Sequence, residues 1–177
     1  YTDAKDIGDA YVEAVGVMTG LEIVDGMTET TIDPTATYTL TDTTFEPTGT
    51  LTGFQWAKML LSAVGFNANN ELEGSSWSLN TARIGREVGL FDGDLAGADH
   101  TPLRREQAML YAFNTLTSVG CVVYSEALGD YMYSYSDYIG ERYSYEGTLG
   151  WNVFKLASVE GIITANEGSR AKTTEIN

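Results

Sequence analysis

The amino-acid sequence predicts a mainly helical α+β fold: two helix-loop-helix units, a β-ribbon inserted in the first, and a tyrosine-rich β segment after the second. Three observations lead there. Four stretches place apolar residues at helical spacing. The order helix, glycine stop, short apolar step and Asp-Gly turn occurs twice. Period-two alternation occurs in one threonine-rich and one tyrosine-rich stretch.

In chain order, the first helix covers Ala10 to Met18, with apolar pairs at 10/11, 14/15 and 17/18. It stops near Gly20, and Leu21-Glu22-Ile23-Val24 leads into the turn Asp25-Gly26. Thr28 to Thr44 is threonine-rich and alternates through Thr35-Ala36-Thr37-Tyr38-Thr39-Leu40-Thr41, which predicts an inserted β-hairpin or ribbon. The next helix covers Phe54 to Val64. Ahead of it stands Thr52-Gly53-Phe54-Gln55, a capping-box pattern in which Thr52 and Gln55 satisfy each other's backbone. Gly65 to Ser76 is a polar linker rich in glycine and asparagine. The second unit repeats the order: a helix over Leu79 to Val88, the step Gly89-Leu90-Phe91, the turn Asp92-Gly93, and a helix over Arg105 to Leu116. It crosses from turn to helix in about ten residues, Asp94 to Leu103, so the unit does not require the insertion.

After Leu116 the pattern changes. Val119 to Tyr124 is β-prone, Tyr131 to Ser136 alternates tyrosine with other residues, and seven of the eleven tyrosines lie between 124 and 145. This predicts a pair of strands that buries one tyrosine face on the helices; a stacking platform for sugars and a self-association ribbon are the functional alternatives. Ser158 to Thr164 is again β-like, and the polar end that follows has the look of a further domain beginning. The expected divisions are 1–66, 67–118 and 119–177.

The chain has 177 residues, 43% of them apolar, enough for a packed core. Its 25 acidic and 10 basic residues leave a net charge of −15. Such a field argues against nucleic-acid and anionic-membrane partners. One histidine and one cysteine exclude a zinc site made of four cysteines, or of two cysteines and two histidines, and they exclude an intramolecular disulfide. No window approaches 18 continuous apolar residues, so neither a membrane span nor an uncleaved signal peptide is expected. The acidic, Thr-, Tyr- and Gly-rich composition fits an extracellular protein.

Catalytic templates are missing. No GxSxG, HExxH, Walker or GxGxxG motif occurs. His100 stands in the turn Asp99-His100-Thr101-Pro102, where a solvated histidine is the ordinary case, and Cys121 between valines and glycine fits a small buried hydrophobe. The loop Asp92-Gly93-Asp94-Leu95-Ala96-Gly97 starts like an EF-hand, but Ala96 and Leu103 occupy ligand positions, so it is not one. No cofactor is expected, and calcium is the one metal left open. Arg104 and Arg105 are unusual at a helix start, beside the positive end of the dipole. With Arg83 and Arg86 they make four of the ten basic residues, a candidate patch for an anionic group such as a carboxylated sugar, or partners for the chain's own acids.

Together these residues resemble S-layer homology repeats of Gram-positive, clostridial-type surface proteins. Tyr1-Thr2-Asp3, Gly20 to Gly26, Phe45-Glu46-Pro47 and Thr52-Gly53-Phe54-Gln55 fill one copy; Trp77, Gly89 to Gly93 and Arg104-Arg105-Glu106-Gln107 fill a second. The resemblance covers about residues 1 to 118. It implies a non-catalytic protein of the cell wall or S-layer, anchored to secondary cell-wall polysaccharide, with repeats that commonly come in threes. Carried over, it points to Arg105 with its neighbour Arg104, to Asp92 and Trp77, and to Asp25 as the loop counterpart in the first copy. Gly53 replaces the motif arginine in the first copy, Arg104 replaces the threonine in the second, and no third copy is visible. The alternative is a self-assembling lattice or filament subunit, with other copies of itself as partners, in which the repeats are structural.

Overall fold

The structure, a computed structural model, describes residues 1–32, 39–134 and 147–157. It is a mainly helical α+β arrangement. In order come α1 (Val12–Gly20), β1 (Met27–Ile32), β2 (Thr39–Thr44), α2 (Gly53–Ala63), α3 (Trp77–Glu87), α4 (Arg105–Thr117), β3 (Val122–Ser125), β4 (Asp130–Tyr133) and α5 (Leu149–Asn152). The four helices expected from periodicity are present, within two residues at each end. β1 and β2 pair antiparallel from Met27↔Thr44 to Ile32↔Thr39, closing the inserted ribbon at its base. Part of the threonine alternation, the tyrosines from 135 to 146, and Ser158 to Thr164 lie outside the described residues.

Two hydrogen-bond patterns recur at fixed spacing. At the end of α1, the amides of Leu21, Glu22 and Ile23 donate to the carbonyls of Val17, Thr19 and Met18; at the end of α3, Val88, Gly89 and Leu90 donate to Ile84, Arg86 and Gly85. Every donor and acceptor is displaced by 67 residues. Positive φ recurs at the same spacing: Glu22 (57°) with Gly89 (80°), and Gly26 (78°) with Gly93 (91°). Each helix therefore stops in a left-handed cap and runs four residues on into a left-handed turn. The starts of α2 and α4 match at a spacing of 52: Thr52 N donates to Gln55 Oε1, and Arg104 N to Gln107 Oε1. The ribbon occupies the 15-residue difference.

α2, α3 and α4 enclose the core, in which Ala57, Leu61, Leu72, Leu90, Tyr111 and Val119 are fully buried and Ile84 and Phe91 nearly so. Burying a Leu or Phe side chain contributes about 1.5–3 kcal/mol, so this cluster is the main stabilising element. α2 and α3 run side by side in the same direction. Phe54 and Trp77 meet edge-on at their starts, with ring centroids 6.2 Å apart, and Phe66 and Val88 line one cavity at their ends. The segments before α2 and α4 cross-link as well, through the Thr52↔Pro102 bridge and Leu103 N to Leu51 O at 2.8 Å.

The β3–β4 hairpin stands on the C-terminal ends of α2 and α3. Val122 N donates to Val64 O, and Gly65 permits the approach: with φ at 106°, a Cβ there would meet Val122 O at 2.0 Å. The tyrosine face expected to be buried is covered only in part. Tyr131 packs on Phe66 and Tyr124, and its hydroxyl donates to the Glu71 carboxylate. Tyr133, on the same face, stays exposed. Cys121 is buried as anticipated, in a seam where its amide donates to Gly147 O and its carbonyl accepts from Ser134; burial pushes its thiol up to about 11. No helix among the described residues is long and apolar enough to cross a membrane.

Candidate functional site

The junction between the two units holds a groove of about 590 Å³. One wall is the apolar step Ile23 to Met27, and another is the stretch Phe45 to Leu51 that returns from the ribbon. Gln55, Lys58 and Met59 of α2 form its base with the buried Leu72, and Glu73 and Trp77 close the far side.

The first three residues fix the outer wall. The Tyr1 hydroxyl donates to Val24 O and its ring packs on Phe45, while the two Asp3 carboxylate oxygens accept from the amides of Phe45 and Glu46 at 2.8 and 2.7 Å. Those amides, Phe45 foremost, hold the Asp3 carboxyl below its usual range. The Tyr-x-Asp start thus acts on a loop more than forty residues away.

Lys58 is the electrostatic centre. Its ammonium donates to Asp25 Oδ2 at 3.0 Å and to Glu73 Oε1 at 2.7 Å, and the second carboxylate also accepts from Asn67 Nδ2. Burial alone would depress the lysine; the bonds from Glu73 and Asp25 outweigh it and raise the lysine above its ordinary value. It is therefore charged across the physiological range, and the trio carries a net single negative charge. Both carboxylates are partly open to solvent and keep acceptor positions free for a ligand. Trp77 is half-buried at the rim, edge-on to Phe54 and to His100, whose ring centroid lies 4.8 Å from that of Phe54. His100 is thus solvent-exposed, as expected for a turn, but belongs to an aromatic cluster.

Of the five residues to which the resemblance points, Asp25 and Trp77 meet in this groove. Arg104, Arg105 and Asp92 do not line it. Arg104 is the N-cap of α4, and both its amide and its Nε donate to Gln107 Oε1. Arg105 is exposed on the first turn of α4. The backbone carbonyl of Asp92 accepts from Asn114 Nδ2 at 2.9 Å. The carboxylate tied to the start of α4 is Asp94, which accepts from Gln107 Nε2 and the Tyr111 hydroxyl.

The four arginines are engaged separately. Arg83 pairs with Glu87 one turn on, and Arg86 donates to Ala96 O in the loop. With Arg104 on Gln107, three of the four side chains are thus held by the protein's own acceptors. Among the described residues no three His, Cys, Asp or Glu side chains gather as a metal-binding group. Sequence reasoning missed Lys58, Glu73 and Gln55 as groove residues. One signal was available: Lys58 is the sole charged residue within an otherwise neutral helix.

Comparison with family models, with curated proteins and with solved structures finds no match to this chain.

Proposed function

We propose that the chain is a non-catalytic surface module that binds secondary cell-wall polysaccharide in the groove between its two repeats, which we read as S-layer homology-like. The observation that carries this reading is that Asp25 from one unit and Trp77 from the next line one groove together with Lys58. The groove has the chemistry of a sugar site: the Trp77 rim offers an apolar face to ring C–H groups, Asp25, Glu73 and Gln55 accept hydroxyls, and Lys58 supplies a fixed positive charge. The net charge of −15 fits a solvated extracellular location.

Retention on purified, pyruvylated wall polymer tests the reading. Trp77→Ala and Lys58→Met are expected to lose most of the retention while keeping the wild-type circular dichroism. Arg105→Ala, outside the groove, is expected to keep it. Wild-type retention by both groove variants would refute the proposal.

A second reading has its own observation. α1 buries none of its residues, and Met109 and Phe113 of α4 are left exposed. These surfaces favour a self-assembling lattice or filament subunit in which the repeats are structural.

A further inference from the structure

The matched hydrogen bonds at the helix ends permit burial to be compared position by position between the two units. On α2, Ala57 and Leu61 are fully buried in the same core cluster as Ile84 of α3. The matched residues on α4, 52 positions on, are Met109 and Phe113, which are 68% and 62% exposed. On α3 the buried residues are Thr81, Ile84 and Gly85. Their matches on α1, 67 positions earlier, are Ala14, Val17 and Met18; Val17 is 55% exposed, and Leu21, one turn further, is 63% exposed. The face with which α2 receives α3 is therefore open on α4, and the face that α3 presents is open on α1. Large apolar side chains lie along both open faces.

Charge gives the pair a direction. Arg105, Met109 and Phe113 are spaced four residues apart and form one line along α4. Glu13, Val17 and Leu21 form the corresponding line along α1. Each line has one charged residue at its N-terminal end, and the charges are opposite. Because α2 and α3 run in the same direction, with Phe54 beside Trp77 at their starts, an α4–α1 contact of the same geometry brings the Glu13 end of one line and the Arg105 end of the other to the same end of the interface. Before α1 the exposed Asp6 and Asp9 outnumber Lys5, and at the start of α4 Arg104 and Arg105 outnumber Glu106, so the fields around the two ends are complementary as well.

We propose that α1 of one copy docks on α4 of a second copy as α3 docks on α2 within the chain. The contact joins two different surfaces, so each copy keeps one of each free, and the product is an open filament or a ring. This rests on the second reading above and gives it an interface. It also gives a role to the arginine at the start of α4, where the helix dipole disfavours it.

Sedimentation and light scattering of the full chain at low ionic strength test the interface. The wild type is expected to associate with rising concentration. Val17→Asp and Met109→Asp alter exposed residues and should fold normally by circular dichroism, yet each alone should stay monomeric. Mixed, they should form a one-to-one dimer and nothing larger, because Val17→Asp keeps its α4 face and Met109→Asp its α1 face. Glu13→Arg and Arg105→Glu should each weaken association, and the double reversal should restore it. A wild type that is monomeric at millimolar concentration overturns this interface and the lattice reading together. Association that both aspartate variants leave unchanged, or variants that do not complement each other, overturns this interface alone.

Discussion

Matched positions in the two units show how single residues trade volume. At Gly85 a Cβ would meet the Phe91 ring at 2.5 Å, so the second unit accommodates a large aromatic in its apolar step by removing the side chain from the helix. The first unit has Met18 and Val24 at the same two places, the larger residue on the helix and the smaller on the step. The caps differ in the same way. Thr52 sits at φ −97°, ψ 164° and accepts from Gln55 N; Arg104 sits at φ −82°, ψ 149° but has no acceptor on its side chain. Thr52→Ala should therefore cost about 1 kcal/mol, and Arg104→Thr, at a compatible backbone, should recover a similar amount of order 0.5–1 kcal/mol, both read from urea denaturation midpoints. The Thr52 cap was legible in the sequence because both partners lie within one turn. The clasp of Asp3 on Phe45 and Glu46 was not, because nothing local to Tyr1-Thr2-Asp3 marks a partner 42 residues away.

At the scale of elements, the ribbon is an appendage. Its base is closed by the pairing of Met27 with Thr44 and Thr28 with Thr43, and the second unit bridges the same gap without it. Replacing residues 29–42 by Asn-Gly, which favours a tight type I′ turn, should leave helical circular dichroism and the thermal midpoint nearly unchanged. A cooperative loss of helix in that variant would show that the ribbon belongs to the core. The helices and the ribbon were legible because hydrophobic period depends on local sequence alone. The groove was only half legible. Asp25 and Trp77 stood out through their motifs, whereas Lys58 acquires its role from partners 33 and 15 residues away. Arg104 and Arg105 were grouped with Arg83 and Arg86 by closeness in sequence, but the fold gives these side chains different neighbours.

For the whole molecule, partly buried carboxylate–phenol pairs set the response to pH. In Glu71 burial raises the carboxyl, and bonds from Tyr131 and the amide of Asn67 outweigh it; in Asp94 burial is likewise outweighed, by Gln107 and Tyr111. Both end below the ordinary carboxylate range. Their stabilisation is fully present above the unfolded values of about 4 and is lost as pH falls through the folded ones. The phenols behave in reverse. Burial and then Glu71 push Tyr131 up to about 12, and burial and then Asp94 push Tyr111 up as well. Their stabilisation is present below about pH 10 and is lost as pH rises through the folded values. Urea midpoints measured against pH should therefore show a plateau that falls off on both sides, below about pH 4 and above about pH 10.

The seam at Cys121 joins the end of α4 to the strands and to the start of α5 through two backbone bonds, and it encloses the only thiol in the chain. A thiol that is buried and largely protonated does not react until the seam parts. Its rate of modification in the native protein is thus a clock for that opening alone, separate from the fraying of α1 or of the ribbon. The molecule carries a built-in reporter at one of the places where its helical and β portions meet.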